Sequence, residues 1–308
     1  MELQHILRSQ QFDLAMMYRL FERASYYGKL FQNGSSCYED TLAGKILLGL
    51  FYEPSTRTRL SFAMAGHHLG MKVEITENAK DFSSAIKGES IEDTIRVIGG
   101  YRPAVIVIRH PEEGAAERAA AVSAVPIINA GDGCGQHPTQ ALLDVYTIYN
   151  AFGELEGLNI TIGGDLAHGR TVRSLVYLMS KFKGVSFDFI SPQEFRIGDD
   201  IKEYLKRHGV GFTEQEGMSA IARADVVYWT RIQKERMPTG IDFTEIENKY
   251  VIGAEQLSQI KKDAIIMHPL PRVKEISIEV DSDPRAEYFK QSDNGMLIRM
   301  ALLHLILK

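Results

Sequence analysis

Four consecutive residues that can donate to an anion, Ser55-Thr56-Arg57-Thr58, follow the apolar run ILLGLF and open a stretch, LSFAMAGHHLG, with apolar residues at helical spacing. At a helix start such hydroxyls and a guanidinium join unpaired backbone N–H groups and the positive end of the helix dipole, an arrangement that favours a dianion such as phosphate. One of these residues alone would be a helix cap, but four exceed what a cap needs. Other apolar runs also lead into donors, with Arg109 after AVIVI, His137 and Gln140 in AGDGCGQHPTQ, Arg170 in GGDLAHGRT, and Arg231 with Gln233 in TRIQKER. After AIIM comes His268-Pro269-Leu270-Pro271-Arg272, whose prolines narrow the backbone and remove N–H donors, leaving carbonyls for a ligand amide. Lys87 stands in the polar loop DFSSAIKGES beside Ser83 and Ser84.

Arg57, Lys87, Arg109, Arg170 and Arg231 are cationic groups in a chain with 35 Lys+Arg against 40 Asp+Glu, a formal net charge of −5. No global basic field draws this chain to nucleic acid or an anionic membrane, so anions are bound locally. The ligands are expected to be multiply anionic, and arginine suits bidentate clamping of phosphate and carboxylate. No serine or cysteine stands beside a plausible base, and no Cys/His spacing suggests a metal, so catalysis falls to positioning and electrostatic stabilisation without a cofactor. Gly164 to Thr171 comes within one substitution of a phosphate loop, with Arg170 in the lysine position. A strand bearing the magnesium-binding Asp is missing, as is a GxGxxG, which argues against a nucleotide. Two cysteines, Cys37 and Cys134, build no disulfide framework, and with no targeting or membrane-spanning stretch the chain is expected to be soluble and cytoplasmic.

Short apolar runs position these residues. KILLGLF, KVEIT at 72–76, AVIVIR at 104–109 and VPIIN at 125–129 are expected as buried parallel strands, and NITIGG, VSFDFI, DVVYW and AIIMH repeat the alternation in the second half. Helical patterns such as DDIKEYLKRHG lie between them, which predicts an α/β fold of two doubly wound parallel-sheet domains. HPTQALLDVYTIYNAF has helical spacing and no flexible linker, so a helix is expected to carry the chain across, and NGMLIRMALLHLIL predicts a buried terminal helix. In open sheets of this kind ligands bind beyond the carboxyl ends of the strands, where the residues above fall.

PSTRTRLSF, KGES before DTIR, IRHPEEGAA, NAGDG with HPTQALLD, the GDL and GRTV elements, the TRIQKER run and HPLPRV before EI together resemble the catalytic chains of the aspartate carbamoyltransferase family, in order and spacing, from about Glu53 to Ile276. Ornithine carbamoyltransferases share STRTR and HPTQ, but are expected to carry a Cys in an HCLP motif and an SMG loop. Here Pro269 and Leu270 stand in HPLP, and GMSA begins at Gly217. Three positions depart from the family pattern: Ala63, Arg173 and Lys274.

The resemblance implies a carbamoyl-phosphate-binding domain of residues 1–150 plus 291–308 and an aspartate-binding domain of 151–290, with the active site in the crevice between them. It implies transfer of the carbamoyl group of carbamoyl phosphate to the α-amine of L-aspartate, the committed step of pyrimidine (UMP) biosynthesis. Ser55, Thr56, Arg57 and Thr58 would hold the phosphate; Thr58, Arg109 and His137 would donate to the carbonyl oxygen; Gln140 and the carbonyls of Leu270 and Pro271 would bind the carbamoyl NH₂. Arg170, Arg231 and Gln233 would hold the aspartate carboxylates, and Lys87 would bridge both substrates. In the family Ser83 and Lys87 reach a neighbouring subunit's site, which implies a homotrimer; a regulatory chain stays open as a further partner. A carbamoyltransferase for another amino acid, or a non-catalytic relative, is the alternative.

Overall fold

The computed structural model describes residues 4–33, 40–77, 79, 87–234 and 243–308. They form two units, Met1–Leu143 with Asp293–Lys308 and Asp144–Ser292.

The first unit is built on four parallel strands: β1 (Ile46–Phe51), β2 (Lys72–Glu77), β3 (Val105–His110) and β4 (Ile127–Asp132), in the order β2-β1-β3-β4. Val105, Ile106, Val107 and Ile108 are at most 1% exposed, and each buried side chain of this size contributes about 1.5–3 kcal/mol. Continuous burial of this kind is what a strand covered on both faces requires. Helices α1 (Leu14–Gln32), α2 (Thr56–His68), α3 (Ile91–Gly99) and α4 (Ala115–Val122) belong to this unit; Asp13 caps α1 through Met16 N–H at 2.7 Å, and Ser90 caps α3 through Asp93 N–H at 3.1 Å.

The second unit holds five parallel strands, β5 (Asn159–Gly163), β6 (Ser186–Ile190), β7 (Gly211–Gln215), β8 (Val226–Trp229) and β9 (Ile265–Met267), in the order β7-β6-β5-β8-β9. Its helices are α6 (Arg170–Met179), α7 (Asp199–Arg207), α8 (Thr244–Lys249) and α9 (Ala254–Gln259). Trp229, fully buried, donates its indole N–H to the Tyr250 carbonyl at 2.9 Å and centres the core. Helix α5 (Pro138–Phe152) begins in the first unit and ends in the second, and α10 (Tyr288–Leu307) runs from the second to the first.

The expected strands are present with two differences. VPIIN continues through Ala130 to Asp132, because Asp132 pairs with His110 beyond an irregularity at Ala130 and Gly131 rather than opening a loop. Strand β7, GFTEQ, is additional to the expected set: it is the sheet edge, half-exposed and polar, so it lacks the apolar run that marks the others. Among the described residues no helix is long and apolar enough to cross a membrane.

Candidate active site

Each sheet reverses its winding once, and the two strands beside that reversal lead to Ser55–Thr58 and Arg109 in the first unit and to Arg170, Arg231 and Gln233 in the second. In the first unit these strands are β1 and β3, which pair Phe51 with Arg109. The chain leaves β1 through Tyr52 and Glu53 and enters α2 at Ser55, which takes an extended N-cap conformation without using its hydroxyl as a cap. Thr56 and Arg57 are exposed, Ser55 is half-buried, and Thr58 is 6% exposed. Although Arg57 reaches solvent, desolvation by the surrounding chain lowers its pKa from the usual guanidinium value. Arg109, half-buried, sets Nε 3.5 Å from Glu53 Oε2 and donates from Nη1 to the Ala130 carbonyl at 3.4 Å, which aims it across the end of β4.

His137 precedes α5, 4% exposed; its carbonyl accepts the N–H groups of Gln140 at 3.0 Å and Ala141 at 3.1 Å. The loop before it is fixed by Asp132, 3% exposed, which accepts Gly114 N–H at 2.9 Å, Gln136 N–H at 3.0 Å and the Asn129 amide at 3.0 Å. Gly133, at φ 46°, lies against the Pro111 carbonyl, where a side chain would collide. Thus Ser55, Thr56, Arg57, Thr58, Arg109, His137 and Gln140 all lie at or beyond the carboxyl ends of β1, β3 and β4.

In the second unit β5 and β8 flank the reversal and pair Gly163 with Trp229. Arg170 opens α6 and is 9% exposed. Arg231 and Gln233 follow β8; Arg231 Nη1 donates to the Ile232 carbonyl at 3.2 Å, and Gln233 donates its backbone N–H to Asp165 at 3.1 Å. A cavity of about 210 Å³ is lined by Thr230, Arg231, Lys234, Tyr250, Lys274 and Glu275 among others. Its two carboxylates are engaged, Glu247 with Lys234 at 2.8 Å and Glu275 with His268 at 2.9 Å, so the cavity favours an anion. Arg170 and Gln233 do not line it.

Leu270 and Pro271 follow β9, joined by a cis peptide bond. Leu270 has φ 51°, a left-handed conformation that costs a residue with a Cβ roughly 1–2 kcal/mol. Its N–H is held by His268 Nδ1 at 2.8 Å.

Lys87 is exposed in a turn before α3. Ser83 lies outside the described residues. Sequence reasoning assigns no role to Asp165, which is fully buried and accepts the N–H groups of His168 at 3.0 Å and Gln233 at 3.1 Å. Its place directly after the β5 run is the signal available. Gly163 and Gly164 serve a different purpose from a phosphate loop: a Cβ on Gly163 would strike the Trp229 ring, and one on Gly164, at φ 106°, the Thr230 carbonyl.

The family description "Aspartate/ornithine carbamoyltransferase, carbamoyl-P binding domain" matches residues 4–150, and its "Asp/Orn binding domain" matches 156–306. The chain is 51% identical to an aspartate carbamoyltransferase of Arabidopsis thaliana named as chloroplastic, over 99% of this chain and 78% of that one. The catalytic subunit of Methanocaldococcus jannaschii aspartate transcarbamoylase superposes with a TM-score of 0.90 at 46% identity, covering 99% of this chain and 98% of the other. The Trypanosoma cruzi enzyme solved with N-(phosphonacetyl)-L-aspartate gives a TM-score of 0.92 at 37% identity, covering 99% and 96%. The cytoplasmic assignment drawn from the cysteines does not hold. Relatives from Arabidopsis, rice and pea at 50–52% identity are named chloroplastic, and a low cysteine count marks reduced thiols rather than one compartment.

Proposed function

The chain belongs to the aspartate/ornithine carbamoyltransferase family, and from that premise we propose that it transfers the carbamoyl group of carbamoyl phosphate to the α-amine of L-aspartate. The product is N-carbamoyl-L-aspartate, which feeds pyrimidine synthesis. Residues 1–150 with 291–308 bind carbamoyl phosphate and 151–290 bind aspartate.

The neutral amine attacks the carbamoyl carbon. A C–N bond forms, the C–O bond to phosphate breaks, and the amine loses a proton for which the departing phosphate is an acceptor. Ser55, Thr56, Arg57 and Thr58 hold the phosphate, while Thr58, Arg109 and His137 donate to the carbonyl oxygen. That oxygen gains charge as the carbon becomes tetrahedral, so donors aimed at it act chiefly on the transition state, at about 10²–10³-fold for each. Gln140 and the Leu270 and Pro271 carbonyls accept from the carbamoyl NH₂. Arg170, Arg231 and Gln233 hold the aspartate carboxylates.

The observation that carries this reading is the pairing of Phe51 with Arg109, which supports one anion pocket made from the α2 start and the end of β3. The ligand in the T. cruzi enzyme, a phosphonate joined to aspartate, supports aspartate as the acceptor. We also propose a homotrimer in which Lys87 and Ser83 serve a neighbouring site. The exposure of Lys87, and of Leu60 and Met64 one turn apart on α2 at 45% each, supports it.

Phosphate release with carbamoyl phosphate and, separately, aspartate, ornithine and related amino acids tests the reaction. Turnover with aspartate is expected; release with ornithine alone, or with none, overturns the assignment. Light scattering tests the trimer, which requires three times the mass of one chain.

A further inference from the structure

A buried chain of hydrogen bonds lies behind the Leu270–Pro271 turn. Asp144, on α5 and with no exposed surface, accepts the Tyr228 hydroxyl at Oδ2 over 2.9 Å and Gln291 Nε2 at Oδ1 over 2.6 Å. Burial, reinforced by the Asp144 charge, keeps the Tyr228 pKa well above its ordinary value, so the phenol remains a donor. A carboxylate can only accept, so the Gln291 amide is locked with its nitrogen toward Asp144 and its oxygen toward His268, whose backbone N–H it takes at 2.9 Å. The His268 ring is held at both edges: Nδ1 accepts Leu270 N–H at 2.8 Å, and Nε2 meets Glu275 Oε1 at 2.9 Å. This assigns a neutral imidazole with its proton on Nε2.

Packing alone does not call for such a chain, since apolar residues of equal volume fill a core without desolvating a carboxylate. Each link instead removes one orientation from the next. Gln291 and His268 are both 1% exposed, and the chain ends on the one described turn where a leucine holds a left-handed backbone.

We infer that Asp144, Gln291 and His268 form a positioning relay that fixes the direction of the Leu270 and Pro271 carbonyls, and so selects a phosphate donor that bears an amide N–H. This rests on the assignment of those carbonyls to the carbamoyl NH₂.

Acetyl phosphate, with a methyl in place of NH₂, is the probe. Wild-type enzyme should bind carbamoyl phosphate more tightly than acetyl phosphate. Gln291→Leu and His268→Leu should each lose about five- to tenfold of that preference, the scale of one hydrogen bond, while inorganic phosphate binds within about twofold of wild type. His268→Asn, whose side-chain oxygen can replace Nδ1 as acceptor, should retain most of the preference. Tyr228→Phe removes one donor to Asp144 with little change of volume, and gives a smaller loss in the same direction should the leucine variants fail to fold. Full preference in folded Gln291→Leu and His268→Leu, or in Tyr228→Phe where those do not fold, overturns the relay. Absence of preference in the wild type overturns instead the assignment of the carbonyls.

Discussion

Asp165 takes the backbone N–H of Gln233 on Oδ2 at 3.1 Å, tying the segment that follows β5 to the segment that follows β8. The same carboxylate accepts His168 N–H at 3.0 Å, two residues before Arg170, so one buried acid sets the approach to both arginines assigned to aspartate. Asp165→Ala is expected to lower kcat/KM for aspartate by about 10²-fold through lost positioning, with carbamoyl phosphate affinity changed less than about threefold. Equal losses for both substrates would show a general structural role instead.

Gly164→Ala brings a methyl group onto the Thr230 carbonyl at a backbone angle, φ 106°, that alanine resists. The end of β8 must shift, and Arg231 with it. Steady-state kinetics should show aspartate KM raised by about tenfold or more, together with a lowered unfolding temperature. An unchanged KM would mean that the strand ends tolerate separation.

Arg57→Ala should reduce turnover by about 10³-fold, the scale of losing a transition-state donor. Lys87→Ala should also be inactive as a pure oligomer. Mixing the two inactive chains restores part of the activity if Lys87 serves a neighbour's site, because some hybrid sites then contain neither substitution. No recovery in mixed trimers verified by mass would rule out sharing.

Lys274, one of the three positions at which the sequence departs from the pattern it resembles, lines the cavity that contains Arg231. Lys274→Glu, which reverses the local charge at an exposed position, is expected to raise the aspartate KM by about two- to fivefold at low salt, with the gap closing as salt screens it. A salt-independent effect would point to packing.

Asp188 accepts Arg223 Nε at 2.8 Å and the Thr213 hydroxyl at 2.5 Å. Burial alone would raise its pKa, but the bonds from Arg223, Thr213 and Asn159 outweigh it and hold the carboxyl below the ordinary aspartate value. The folded state therefore binds this proton less readily than the unfolded chain does. Its stabilising contribution is complete above the ordinary aspartate range and is lost as pH falls through the lowered value. Asp188→Asn should lower the unfolding temperature by a few degrees at pH 7 and by progressively less toward pH 3, as measured by calorimetry. A gap that is constant with pH would exclude the charged form as the source.

The buried central strands are legible because burial on both faces leaves an apolar run, as in Val105–Ile108 and Val226–Trp229. Strand β7 is not, since an edge strand with one solvated face mixes polar residues into its pattern. The candidate site divides in the same way. Cations and hydroxyls at strand ends are conspicuous because little else explains them there, whereas Asp144 and Asp165 look in sequence like any solvated acid. Only the fold reveals that their partners are a phenol hydroxyl, a side-chain amide and backbone N–H groups. The glycines of GGDLAHGRT are visible, but their cause, the Trp229 ring and Thr230 carbonyl on the neighbouring strand, lies 66 residues from each along the chain and belongs to tertiary packing.

Helix α10 gives the first unit an awkward place in the order of synthesis. Its last turns return to a core begun nearly three hundred residues earlier: the Tyr27 hydroxyl lies 2.8 Å from His304 Nδ1, and Arg299 stacks 5.1 Å over the ring of Phe62, on the helix that opens with the residues assigned to phosphate. On the ribosome the second unit is therefore complete before the first can close. At roughly 5–20 residues per second, the residues assigned to phosphate wait many seconds for their final support. A nonsense codon within the segment that encodes α10 would spare every residue assigned to the chemistry, yet leave the first unit unfinished.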